Sequence, residues 1–188
     1  MASVSAAYLE LASRSKAELA AVFAAGGPPD VRALTGFEFR GYNHPRAAAL
    51  LGIRKFIKTF YLDGSGRPAG CNTPVAQNGL DAEWLPRPSA ERPKRYAFFQ
   101  VQSPDPEAPD ELRRGAALLD YGQGGNRAYD VARVLRDYIV RVEPRSDELL
   151  LGKAYFVIAG ARLAHTYFLI ERYRLLVDTS ALAERRGS

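Results

Sequence analysis

Three β-type segments follow one another between Val134 and Tyr173: Val134–Val142, Leu149–Ile158 and Leu163–Tyr173. They are rich in β-branched and aromatic residues, the types that suit a pleated, half-buried surface. Side chains alternate faces along a strand. In the first segment Val134, Tyr138, Val140 and Val142 share one face, and Leu135, Asp137, Ile139 and Arg141 the other. In the third, Ala164, Thr166, Phe168 and Ile170 oppose Leu163, His165, Tyr167, Leu169, Glu171 and Tyr173. One mainly apolar face and one mixed face is the pattern of an antiparallel sheet. Glu143–Asp147 has turn composition, and Ala159-Gly160 makes the second turn, where Gly supplies a positive φ. A helix fits less well, because Gly152 and Gly160 interrupt it. The stretch reads as an antiparallel meander, and the rest of the chain is organised around it.

The other segments add strands and a helical start. Residues 3–25 read as helical, and Ser15-Lys16-Ala17-Glu18 has the form of a capping box that opens a new helix at Lys16. Gly26-Gly27-Pro28-Pro29 ends it. Leu34–Tyr42 is the first strand, with Phe37 and Phe39 opposite Glu38, Arg40 and Tyr42. Pro45 to Gly52 frames one short helix after it. Ile53–Leu62 is a strand or a helix extension, and the following Asp63-Gly64-Ser65-Gly66 hairpin signal favours the strand. Residues 67–94 read as a long loop, with a short strand near Val75 and Trp84 as its pin. Arg95–Gln102 and Ala116–Tyr121 are strands, separated by the acidic, proline-containing loop of residues 103–114. Gly122–Asn126 is a turn.

About seven or eight antiparallel strands must deal with their edges, and closure into a barrel removes them. The fold class expected is mainly β: an antiparallel, lipocalin-like barrel with N-terminal helices and one short helix after the first strand. The division expected is a helical segment packed on the barrel at 1–30, the barrel domain at 31–177 and a polar tail at 178–188. A barrel of about eight strands can hold one small ligand.

Composition narrows the function. A chain of 188 residues suits one domain. It contains no apolar run of the roughly 18 to 20 residues that spans a bilayer, and its start lacks the basic-then-apolar order of a secretory signal. Cytoplasmic residence is the expectation. One cysteine forbids an internal disulfide, and one cysteine with two histidines speaks against structural zinc. No metal and no cofactor is expected. The net charge of +5 is scattered and interleaved with acids, so a nucleic-acid partner is disfavoured.

Several stretches resemble a known family. Gly36-Phe-Glu-Phe-Arg-Gly41 looks like the GXWXG element that names a family of small bacterial lipocalin-like proteins, with Phe39 beside the slot where that family has Trp. His44-Pro45, Leu50-Leu51-Gly52 and Lys55-Phe56 are similar to its His-Pro…Gly…Lys-x-Phe stretch. Asp137-Tyr138 to Gly152, and Tyr167–Arg172, are similar to its later segments. The resemblance covers about residues 34–173 and implies a β-barrel of calycin type. The family brings no assigned reaction and no catalytic residues.

The candidate ligand-binding residues are Arg40, Tyr42, His44, His165 and Tyr167. His44 is either a titrating base or a cap and packing group at the corner before Pro45. His165, Tyr167 and Glu171 form a polar ladder inside the barrel if their face lines it, or exterior residues if Phe168 and Ile170 fill the core. Arg40 could hold a carboxylate by a bidentate pair, or lie with Glu38 and Tyr42 on a solvated face. Asp137 and Arg141 pose the same alternative. Catalytic residues are unknown. The leading function is binding of a small hydrophobic or aromatic molecule in a barrel cavity. The alternative is a cofactor-independent isomerase or cyclase acting on a hydrophobic intermediate in the same cavity. The expected partner is a hydrophobic small molecule, with a homodimer open. Neither nucleic acid nor a membrane span is expected.

Overall fold

The computed structural model describes residues 3–44, 52–103, 115–158 and 161–177, except for the side chains of 161–165. Among them eight antiparallel strands close into a barrel: β1 (Phe37–Asn43), β2 (Lys55–Leu62), β3 (Pro68–Pro74), β4 (Tyr96–Gln102), β5 (Ala117–Asp120), β6 (Leu135–Arg141), β7 (Leu149–Ile158) and β8 (Ala161–Leu175). Each strand pairs with its sequence neighbour, and β8 returns to β1 with Arg40 opposite Glu171 and Gly41 opposite Ile170. The fold is the mainly β, antiparallel barrel that the sequence predicts. The short helix expected after β1 and the acidic loop expected before β5 lie outside the described residues.

Three α-helices precede the barrel: α1 (Ala6–Ser13), α2 (Lys16–Ala25) and α3 (Val31–Leu34). Ser15 and Glu18 form the capping box at the start of α2, each side chain reaching the other's backbone N–H. Neither α1 nor α2 penetrates the barrel. Tyr8, Leu11, Leu19 and Phe23 lie in one apolar layer with outward-facing Tyr138, Leu151, Tyr167 and Leu169. The barrel interior is a second, separate core, built on Phe39, Phe60, Phe99, Ile139, Leu150 and Ile170, with Leu34 of α3 closing one end. Both faces of β1, β6, β7 and β8 are therefore covered over part of their length.

The segment 67–94 departs from the long-loop reading. Its first residues, Pro68–Pro74, are the barrel strand β3, paired with β2 from Leu62↔Pro68 to Phe56↔Pro74. Pro-Ala-Gly-Cys-Asn-Thr-Pro has little intrinsic β preference, but two neighbours supply the hydrogen-bonding partners that decide its conformation. Asp63-Gly64-Ser65-Gly66 makes the hairpin before it: Gly66 N–H donates to Asp63 O at 2.7 Å, and Gly66 has φ +72°. The remainder of the segment is held down as expected. The Trp84 indole N–H donates to Gly41 O at 3.2 Å. Lys55 Nζ donates to Gly79 O at 2.8 Å and Ala82 O at 2.9 Å while lying 3.7 Å from the Trp84 ring centroid.

No described helix is long and apolar enough to cross a membrane.

Candidate functional site

Lys58 is central to the barrel interior. It stands on β2 between Phe56 and Phe60, two residues away on either side, so alternation turns all three inward. Its side chain is 2% exposed. Nζ lies 2.7 Å from Tyr121 Oη and 3.3 Å from Asp137 Oδ2. Tyr121 Oη in turn donates to Asp137 Oδ2 at 2.6 Å, which leaves its lone pairs to accept from Lys58. Asp137 shares its inward face of β6 with Leu135 and Ile139. Tyr121 begins the 3-10 turn Tyr121–Gln123 that follows β5. Asn72 of β3 adds its amide Nδ2, 3.5 Å from Tyr121 Oη.

Aromatic rings surround the cation. The centroids of Phe99, Phe168, Tyr121 and Phe56 lie 4.8, 5.1, 5.3 and 5.6 Å from Lys58 Nζ. Three of these rings need glycine beneath them. A Cβ at Gly41 would sit 2.3 Å from Phe56 Cε2, one at Gly70 2.3 Å from Phe99 Cζ, and one at Gly152 2.0 Å from Phe168 Cζ. The glycines are spaces in the barrel wall that let these rings lie flat around the lysine.

Burial dominates the electrostatics. It pushes the Lys58 ammonium below the ordinary lysine range, against the opposing pull of the Asp137 carboxylate. It pushes the Tyr121 phenol well above its ordinary value, with Asp137 adding to the rise. Tyr121 is thus a phenol at any physiological pH, and Lys58 is easier to deprotonate than a surface lysine.

Above this group the barrel is open. A cavity of about 270 Å³ is floored by Lys58, Asn72, Tyr121 and Asp137. Its walls are mostly apolar, including Phe56, Tyr96, Leu135 and Phe168, and Val131 stands at the mouth, largely exposed. Asn72 Oδ1 is buried without a hydrogen-bond partner, while its neighbours Lys58, Tyr121 and Asp137 satisfy one another. A larger concavity of about 730 Å³ lies on the outer surface beside Glu38, Arg95 and Arg174. Of its arginines, Arg95 and Arg174 are already engaged with the buried Glu38, at 2.9 and 2.7 Å. The interior cavity combines mostly apolar walls with one buried, unpartnered amide oxygen, the usual anatomy of a small-molecule site.

The five residues singled out from the sequence lie elsewhere or are only partly described. Phe168 and Ile170 face the interior, so Tyr167, Leu169 and Glu171 face out. Arg40 likewise faces out. It bonds Glu171 Oε2 through Nε at 2.7 Å and Ser3 O through Nη2 at 2.7 Å, with Trp84 and Tyr173 rings nearby. Ser5 N–H completes the contact with Glu171 at 3.2 Å, so this pair joins the N-terminal segment to the sheet. Tyr42 and Tyr167 belong to the apolar layer between sheet and helices. The half-buried His44 donates from Nε2 to Arg14 O at 3.2 Å, at the corner where α1 ends. His165 pairs with Tyr155 through its backbone, and its side chain lies outside the described residues. The expectation that Arg40, Tyr42 and Tyr167 line the cavity does not match their placement: the barrel buries the inner face, and the N-terminal helices bury the outer face on which these residues lie. Alternation cannot tell two buried faces apart.

Lys58, Tyr121 and Asn72 were missed. The available signal was a lysine embedded among phenylalanines on one strand face, Phe56-x-Lys58-x-Phe60, matched by Asp137 between Leu135 and Ile139. A charge on an otherwise apolar face is either solvated or paired inside. Comparison of the chain with protein-family models, with curated proteins and with solved structures found no match.

Proposed function

We propose that the barrel binds a small hydrophobic or aromatic molecule whose single polar atom rests on Lys58, Tyr121 and Asn72. The observation that carries this reading is a largely apolar cavity floored by a buried cation and an unpartnered amide oxygen. At about 270 Å³ it is near the lower bound of roughly 300 Å³ for ligand pockets, so it suits one or two rings or a short chain. Asp137 neutralises Lys58, and Asp130 lies at the rim, so a carboxylate ligand would meet two like charges. A neutral carbonyl or phenol fits better. The lipocalin-like resemblance agrees with this reading and is part of the proposal.

The Lys58–Tyr121–Asp137 contacts support a second reading, an isomerase or cyclase on the same scaffold. Three proton-carrying groups within 3.3 Å of one another in an apolar site can move a proton to and from a carbonyl substrate.

The test is titration of the protein with a naphthyl-ketone dye whose emission reports polarity. Saturable blue-shifted emission at one site per chain is expected. Lys58→Met should weaken it about tenfold or more, the loss of one hydrogen bond to a charged group. Emission that stays water-like up to the solubility limit of the dye would remove the binding reading. For the second reading, conversion of a β,γ-unsaturated ketone is followed by absorbance, and no turnover above buffer counts against it.

A further inference from the structure

We infer that Lys58 captures aldehyde or ketone ligands covalently, as an imine, at the floor of the barrel cavity. The inference rests on the proposal that this cavity is a ligand site, and it names the ligand class and the bond.

Four placements carry it. Lys58 Nζ is at the floor of the cavity, so a carbonyl carbon entering from the mouth ends its path there. Asp137 Oδ2 is 3.3 Å from Nζ and positioned to take the ammonium proton, leaving the amine free to attack. Tyr121 Oη, 2.7 Å from Nζ and 2.6 Å from Asp137 Oδ2, links that carboxyl to the oxygen of the attacked carbonyl. Asn72 Oδ1, buried and unpartnered, is an acceptor for the hydroxyl that forms. The apolar walls add a further reason: water drives imine hydrolysis, and a dry cavity holds the product.

The step balances without any other reactant. Asp137 takes one proton from the Lys58 ammonium. Nζ then forms a bond to the carbonyl carbon as the carbonyl π bond breaks, and one nitrogen proton passes to the oxygen, giving a carbinolamine. The proton held on Asp137 returns through Tyr121 to the hydroxyl, and the C–O bond breaks to release water. The nitrogen is left as a protonated imine facing the Asp137 carboxylate. Nothing is oxidised or reduced, and one water leaves for each ligand bound.

The buried lysine distinguishes this from simple hydrogen bonding. Surface lysines are overwhelmingly protonated at neutral pH, whereas burial lowers the proton affinity of Lys58. A solvated lysine would be neither selective nor protected after reaction.

The experiment incubates the intact protein with cinnamaldehyde and cyanoborohydride at neutral pH, with glyceraldehyde as a hydrophilic control. Intact mass and peptide mapping follow. The expected result is one adduct per chain, at Lys58, heavier by the aldehyde less one oxygen atom. The hydrophilic control should label Lys58 no faster than surface lysines. Tyr121→Phe should slow Lys58 labelling by roughly a hundredfold, the low end of what a positioned acid supplies. Mapping in the parent protein does not depend on any variant folding. If the naphthyl-ketone dye binds but label is spread over surface lysines or absent, imine formation is overturned and binding stands. If neither dye binding nor a Lys58 adduct is seen, both fall.

Discussion

The ring of Phe168 lies across Gly152 on the neighbouring strand, with the two residues paired in register and no room for a Cβ between them. This contact sets the wall of the cavity as well as the packing of β7 on β8. Gly152→Ala should destabilise the protein by about 1–3 kcal/mol, the cost of overpacking. That exceeds the gain from stiffening the unfolded chain, about 0.4–1 kcal/mol. The displaced ring should also reduce dye binding. Chemical denaturation and the dye titration, run on the same variant, check both effects.

Asp137 is the counter-charge for a lysine that is almost wholly buried. Asp137→Leu should cost about 3–5 kcal/mol, because the lysine is left uncompensated. The double variant Lys58→Met with Asp137→Leu should recover most of that loss, since no charge then remains buried. A double-mutant cycle from urea denaturation measures the coupling. Simple additivity of the two single changes would mean that the pair does not interact as the 3.3 Å contact implies.

The helices α1 and α2 cover Tyr138, Leu151, Tyr167 and Leu169 without contributing a strand. Removal of residues 1–30 should therefore leave a sheet-rich circular dichroism spectrum. It should also expose the outer apolar layer, read as a strong rise in binding of a hydrophobic dye and as self-association in sedimentation. A random-coil spectrum would show that the barrel cannot close without the helices.

Cys71 is buried on the outer side of β3, beside Tyr61 and Phe98, and burial pushes its thiol up to about 12. The folded state thus keeps a proton that the unfolded chain releases above the ordinary value of 9.0. Stability from this group is present below pH 9 and is lost as pH rises towards 12. The slope is at most about 1.4 kcal/mol per pH unit. Cys71→Ala should show a shallower decline of stability with pH over that window, measured by denaturation at stepped pH. The parent thiol should stay inert to thiol reagents until the protein unfolds.

Much of the fold was legible in local pattern. The alternation in residues 134–173, the capping box at Ser15 and Glu18, and the Asp63–Gly66 hairpin are all properties of a few consecutive residues. Each is set by backbone sterics and short-range hydrogen bonding, so sequence alone determined it. Of β3 only a short strand near Val75 was legible, because Pro68–Pro74 has little strand preference of its own and takes its conformation from β2 and β4.

The site was decided only by tertiary structure. Periodicity sorted Arg40 from Phe39 and Tyr167 from Phe168, but not which member of each pair faced the barrel axis. Both faces of β1 and β8 are buried, one by the barrel itself and one by α1 and α2. Lys58, Tyr121 and Asp137 come from β2, the turn after β5 and β6, and their meeting depends on barrel closure and register. The sequence by itself determined an antiparallel barrel with helices at its start. Closure brought Asp137 to Lys58 across 79 positions of chain, because at the floor of a largely apolar cavity an unpaired charge is costly enough to require its partner.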